Sequence, residues 1–168
     1  MARDNFLTEP DKPMIAFQDI VENSRIVAET ASDAIITINE SSTMLFVNHA
    51  AETIFGYSKE EMLGSGLTML MPEYLRHVHR AGLKAYVETG QKHISWEAVE
   101  LEGLHKNGTR ISLELSFGEF SKDGHRFFTG IARDITRRKQ IEHRLALQHS
   151  VADILASAPN LSEAAPQL

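Results

Sequence analysis

The chain contains no cysteine, which excludes disulfides, a thiolate metal site and a thiol nucleophile. It has no run of about 18 apolar residues, so no segment reads as a membrane span. The opening stretch, "MARDNFLTEPDKP", lacks the apolar core that a secretory signal needs. Positive charge is also in deficit: 17 Lys and Arg stand against 23 Asp and Glu, a formal net charge of −6. A polyanion is therefore a poor partner, and the short basic run "RRK" at 137–139 reads as the solvated start of a helix. These absences lead us to expect a cytoplasmic protein, with no nucleic-acid partner and no membrane contact from this segment.

What is present suits a globular domain. The 168 residues are 42% hydrophobic and 24% charged, enough for one ordinary domain with residues left over. Residues 1–13 have charges, two prolines and no periodicity, and we expect a disordered lead-in there. Phe17, Ile20, Val21, Val27 and Ala28 recur at helical spacing and predict an amphipathic helix over 14–30. That helix needs a surface to cover, either the domain's own sheet or a second copy of the chain.

"DAIITI" at 33–38 and "TMLFVN" at 43–48 predict a hairpin of two strands. Short helical turns follow, and Ser58 with Glu61 forms an S-x-x-E capping box. After Pro72 a longer helix is expected to run to Thr89 and stop at Gly90. Three more strands are expected in "ISWEAVELEGL", "TRISLELSFGEF" and "HRFFTGIARDI". Asn107-Gly108 and Asp123-Gly124 join them, in turns whose two central residues need positive φ. From residue 137 to 158 the chain reads as a signalling helix. Ile141, Leu145, Ala152 and Leu155 form one heptad-like seam, with Gln148 inside it, and Leu147, Val151, Ile154 and Ala158 form an offset second stripe. Residues 159–168 read as a linker. The predicted class is α+β: a five-stranded antiparallel sheet with helices on one face, flanked by amphipathic helices at both ends.

"MPEYLRHVHRAG" places His77 and His79 on the long helix. Two residues apart is a rotation of about 200°, so these imidazoles face opposite ways and do not chelate one ion. Leu75, Val78, His79, Gly82, Leu83 and Tyr86 fall at i, i+3, i+4, i+7, i+8 and i+11, which turns His79 inward. No nucleophile–base pair and no metal-ligand spacing stands out. We therefore expect no catalysis from this chain.

The segments "DAIITIN", "VNHAAETIFGYSKEEMLG", "LMPE", "HKNGTRISLELSFGEF" and "FFTGIARDIT", in this order, resemble the PAS domain family over residues 31–136. The resemblance implies a PAS fold and a sensory, relay and dimerisation module. Its setting would be a two-component signalling protein whose histidine kinase activity lies in another part. It implies a homodimer through the flanking helices and the sheet face, a downstream output domain, and a pocket for a small-molecule ligand lined by His79, Leu83, Val99, Leu113, Leu115 and Ile131. It also implies a surface salt bridge between Glu52 and Lys106. Asp134 and Thr136 match the D-I-T motif that couples the sensor core to the output helix, where an Asp or Thr can cap the new helix.

Haem-binding members place their iron ligand where His79 stands, but Val99 occupies the position of their oxygen-stabilising arginine. We expect a core histidine with no cofactor in preference to a haem-based redox or gas sensor with His79 as axial ligand; a ligand-free dimerisation module with a filled core is the second alternative. Trp96 is expected on the outer sheet face. The tail "ALQHSVADILASAPNLSEAAPQL" is similar to the opening helix of a GAF domain, and equally to a helix leading to a kinase dimerisation region.

Overall fold

Alternating side chains build the sheet. In β1 (Ala34–Asn39), Ala34, Ile36 and Ile38 are buried and their neighbours are half-exposed. In β4 (Arg110–Lys122), Ile111 and Leu113 are buried, and in β5 (His125–Asp134), Phe128 and Ala132. With β2 (Met44–Val47) and β3 (Val99–Leu104) these strands form one antiparallel sheet in the order β2-β1-β5-β4-β3. The computed structural model describes residues 22–92 and 95–157, with side chains to residue 153. The expected lead-in, the first half of the helix expected at 14–30, and the tail from residue 158 lie outside the described residues.

Residues 22–30 are helical and are called α1. Between β2 and β3 come α2 (His49–Phe55), α3 (Lys59–Met62), a 3-10 turn (Leu67–Leu70) and α4 (Glu73–Thr89); α5 (Thr136–Ser157) follows the sheet. Phe55, Met62 and Leu70 close over the inner face of the sheet, with Leu83, Tyr86 and Val87 of α4 packed less deeply beside them. Apolar burial of this kind is the main favourable term in the fold. The capping box at Ser58 and Glu61 forms, and Gly90 ends α4 in the left-handed conformation.

Several expectations need correction. Ile94, the expected start of a strand, lies outside the described residues; residues 95–98 are not strand and β3 begins at Val99, because Ala98 has φ +50° and Ser95 forms a local turn with Glu97. At Asn107-Gly108 only the glycine has positive φ. The His105 N–H bonds to the Thr109 carbonyl at 2.9 Å, which closes a five-residue loop. Asp123 and Gly124 do both have positive φ, as a two-residue hairpin requires. Val78 is 62% exposed, so the stripe by which α4 touches the core is narrower than its periodicity predicts. Ile131 is 43% exposed on the outer face, opposite the pocket face assigned to it. On β5 the inner positions are Phe128, Gly130 and Ala132, and the Phe117 ring of β4 lies beside Gly130. Trp96 lies on the helix side, its ring 5.1 Å from that of Tyr86, with the Lys92 ammonium 3.9 Å above it.

Candidate functional site

Two junctions tie the flanking helices to the sheet. At the N-terminal one, Asn48 is fully buried, and its side chain uses all of its hydrogen-bonding capacity. Oδ1 accepts from the N–H groups of Ile35 (2.9 Å) and Ala51 (3.1 Å), capping α2. Nδ2 donates to the carbonyls of Ala28 (2.9 Å) in α1 and Asp33 (3.0 Å) ahead of β1. One amide thus joins α1, β1 and α2. Glu29 adds an ion pair to Lys59 at 2.7 Å and accepts the His49 N–H at 3.2 Å. The Lys59 ammonium holds the Glu29 carboxyl below its usual range. Sequence reasoning passed over Asn48, although an Asn directly before "HAAE" is a helix N-cap signal.

The C-terminal junction is the D-I-T segment. The Asp134 carboxylate accepts the Thr136 N–H at 2.8 Å, satisfying a first-turn donor of α5. Ile135 is 4% exposed, a side chain plugged into the core, and its N–H bonds to the Ser112 carbonyl at 2.9 Å. The Thr136 hydroxyl oxygen accepts the Ser112 N–H at 3.0 Å. The base of α5 is therefore stitched to β4 on both sides of Ser112.

The pair expected between Glu52 and Lys106 is replaced by another. Lys106 donates to both carboxylate oxygens of Glu61, at 2.8 Å to Oε2, and holds that carboxyl below its usual range. Glu52 instead accepts the Lys59 N–H at 2.8 Å and lies 3.2 Å from His49 Nδ1. The capping box explains the exchange: Glu61 already folds back to the Ser58 N–H at 2.9 Å, which turns its carboxylate towards Lys106.

His79 is half-buried and faces inward, and its Nε2 shares a 2.8 Å hydrogen bond with Ser42 Oγ. Ser42 is buried in the turn between β1 and β2 at φ +64°. Its backbone is fixed on both sides, by the Asn39 carbonyl at 3.0 Å and the Leu67 N–H at 2.8 Å. Burial, and secondarily the Arg80 charge, lowers the pKa of His79 from its usual value.

The residues expected to line one pocket are not gathered around one cavity. Leu113 is in the core, Leu83 and Leu115 pack half-buried against it, Val99 pairs with Leu115 on β3, and Ile131 faces away. A groove of ≈ 260 Å³ beside α4 is lined by Glu40, Ser42, Arg80, Leu83, Lys84, Val87 and Glu88, among others. That is below the roughly 300–1,000 Å³ of small-molecule pockets, and its rim is charged. With Nε2 engaged by Ser42, these residues do not fit a haem. Among the described residues, no group of three or more His, Asp or Glu side chains gathers as metal ligands. Nor is any helix among them long and apolar enough to cross a membrane.

A sheet of this order, roofed by short helices and left through a capped helix, defines a sensory-domain architecture. The PAS domain family matches residues 32–137, and the chain belongs to it. It is 34% identical over 121 residues to the sensor protein FixL of Bradyrhizobium diazoefficiens, covering 72% of this chain and 24% of that protein. It is 30% identical over 99 residues to the oxygen sensor protein DosP of Escherichia coli, covering 59% of this chain and 12% of that protein. The solved PAS domain of a Colwellia psychrerythraea protein superposes with a TM-score of 0.60 at 26% identity, covering 71% of this chain and 99% of that one. The chain spans about a quarter or less of the curated relatives it matches. It is a PAS domain, and its relatives include a protein named cell-division control histidine kinase PdhS, of Brucella anthropi, 26% identical over 157 residues that cover 89% of this chain and 14% of that protein.

Proposed function

We propose that this PAS domain is the relay module of a cytoplasmic histidine-kinase-type protein, and that it passes a conformational or ligand signal through Asp134–Ile135–Thr136 into α5. One observation carries the reading: Ile135 and Thr136 hold the first turn of α5 to Ser112 of β4 by two hydrogen bonds. A shift of the sheet therefore moves the helix base with it, rather than being absorbed by a slack linker. The output domain and a second copy of the chain are the partners this reading requires.

An oxygen-sensing role of the kind named for DosP finds less support. His79 is bonded to Ser42, and Val99 offers no donor to a bound gas. We read His79 as a latch between α4 and the turn between β1 and β2.

The test is an in-frame fusion of residues 1–157 to a histidine-kinase transmitter, with Thr136→Ala and Asp134→Ala alongside. The expected outcome is a changed autophosphorylation rate in both variants, with the circular dichroism of the domain retained. Unchanged rates in both would overturn the relay.

A further inference from the structure

Across the outer face of the sheet runs a row of charges perpendicular to the strands. Glu114 of β4 is paired in register with Arg133 of β5 on one side and with Glu100 of β3 on the other. Two carboxylates directly opposite each other on neighbouring strands repel. The row needs a cation between them, and α5 supplies it. Arg138 Nη2 lies 2.9 Å from Glu100 Oε1 and 3.5 Å from Glu114 Oε2, and Lys139 pairs with the other oxygen of Glu100. At the opposite end Arg133 grips Asp33 with a two-point fork, Nε to Oδ1 at 3.2 Å and Nη2 to Oδ2 at 2.8 Å. Its Nη1 lies 4.0 Å from Glu114 Oε1. Asp33 is the residue whose carbonyl Asn48 binds together with that of Ala28 in α1.

We propose that the row Asp33–Arg133–Glu114–Arg138–Glu100 is an ionic strap that couples the end of α1 to the first turn of α5, making Arg133 and Glu114 positioning residues of the relay. The proposal rests on the relay reading above and gives it an input: α1 as well as the sheet. The acids are the less solvated members, Asp33 at 22% and Glu114 at 28% side-chain exposure against 62% for Arg133, so the links are screened less than freely exposed pairs. Asp33 raises the pKa of Arg133, and Lys139 chiefly lowers that of Glu100, as alternating charges in contact should.

Amide hydrogen exchange on the intact chain tests the strap. Asp33→Asn keeps the backbone carbonyl that Asn48 uses and removes only the carboxylate charge. It should speed exchange at residues 137–142 by roughly two- to fivefold, the range an exposed pair allows. Arg133→Gln should do the same. Because coupling is reciprocal, Arg138→Gln should speed exchange at residues 22–30, and about 1 M salt should erase these differences. Arg110→Gln breaks a pair with Glu102 outside the row and should leave both regions unchanged.

The strap is overturned if Asp33→Asn and Arg133→Gln leave residues 137–142 untouched while Arg138→Gln loosens them, since α5 would then be held only locally. An equal effect of Arg110→Gln would also overturn it, as general loosening of the sheet. These readings need no transmitter, so a fusion insensitive to both Thr136→Ala and Asp134→Ala would sink the relay without touching them.

Discussion

At the scale of single residues, the chain places polar groups where a wrong protonation state has a cost. His79 is half-buried against Ser42, and burial holds its pKa below the ordinary imidazole value of 6.5. As the pH falls through about 6.5 the unfolded chain takes up this proton before the folded one does. The contribution of His79 to stability is therefore complete above that pH, and is lost as the pH falls towards the folded-state value. His79→Gln can still bond to Ser42 but does not titrate. Its urea midpoint should fall less than that of the parent between about pH 7.5 and 5.5. Parallel declines in the two proteins would remove His79 from the pH response.

At the scale of elements, the joints between helices and loops carry the tightest contacts. Gly56 ends α2 at φ +75°, with its N–H on the Glu52 carbonyl at 2.8 Å. A Cβ placed there would lie 2.3 Å from His105 Nε2, and the other nitrogen of that ring accepts the Asn107 N–H at 3.1 Å. Gly56→Ala should destabilise the domain by about 1–3 kcal/mol, from the left-handed backbone and the displaced ring together. Urea unfolding would measure it, and a loss below about 0.5 kcal/mol would mean that His105 moves aside freely.

The same joints show what the sequence makes legible. Strands with strict alternation, the Ser58–Glu61 box and the Gly90 stop are local signals, and they form as read. The partner of Lys106 is not local: it depends on where the capping box turns Glu61. The face of Ile131 is also ambiguous in "FFTGIARD", because two adjacent phenylalanines fit either parity. The inner positions there are glycine and alanine, Gly130 and Ala132, which leave no apolar side chain large enough to mark the inner face. Asn48 is legible only in part: its place before "HAAE" announces the cap on Ala51, but no spacing in the chain announces its bonds to Ala28, Asp33 and Ile35.

At the scale of the whole molecule, apolar surface is left without a cover. Ile141, Leu145, Leu147 and Val151 of α5 are 50–55% exposed, and Ile26 and Val27 of α1 are 51% and 69% exposed. An open groove of ≈ 620 Å³ follows α5 past Leu147 and Val151. Burying a leucine or valine is worth about 1.5–3 kcal/mol, so two such helices side by side gain more than an isolated α5 can. The exposure of Ile26 and Val27 favours, of the two surfaces open to α1, another copy of the chain. Light scattering at high micromolar concentration should therefore report a dimer. Leu145→Glu combined with Val151→Glu should shift it to monomer without unfolding the sheet, because neither side chain contributes to the core. Removing residues 14–30 together with those after 138 should likewise leave a folded but more monomeric core. An intact chain that remains monomeric under these conditions would leave the row of charges at the base of α5 to fix the helix within a single copy. The relay would then have to act on its output domain one chain at a time.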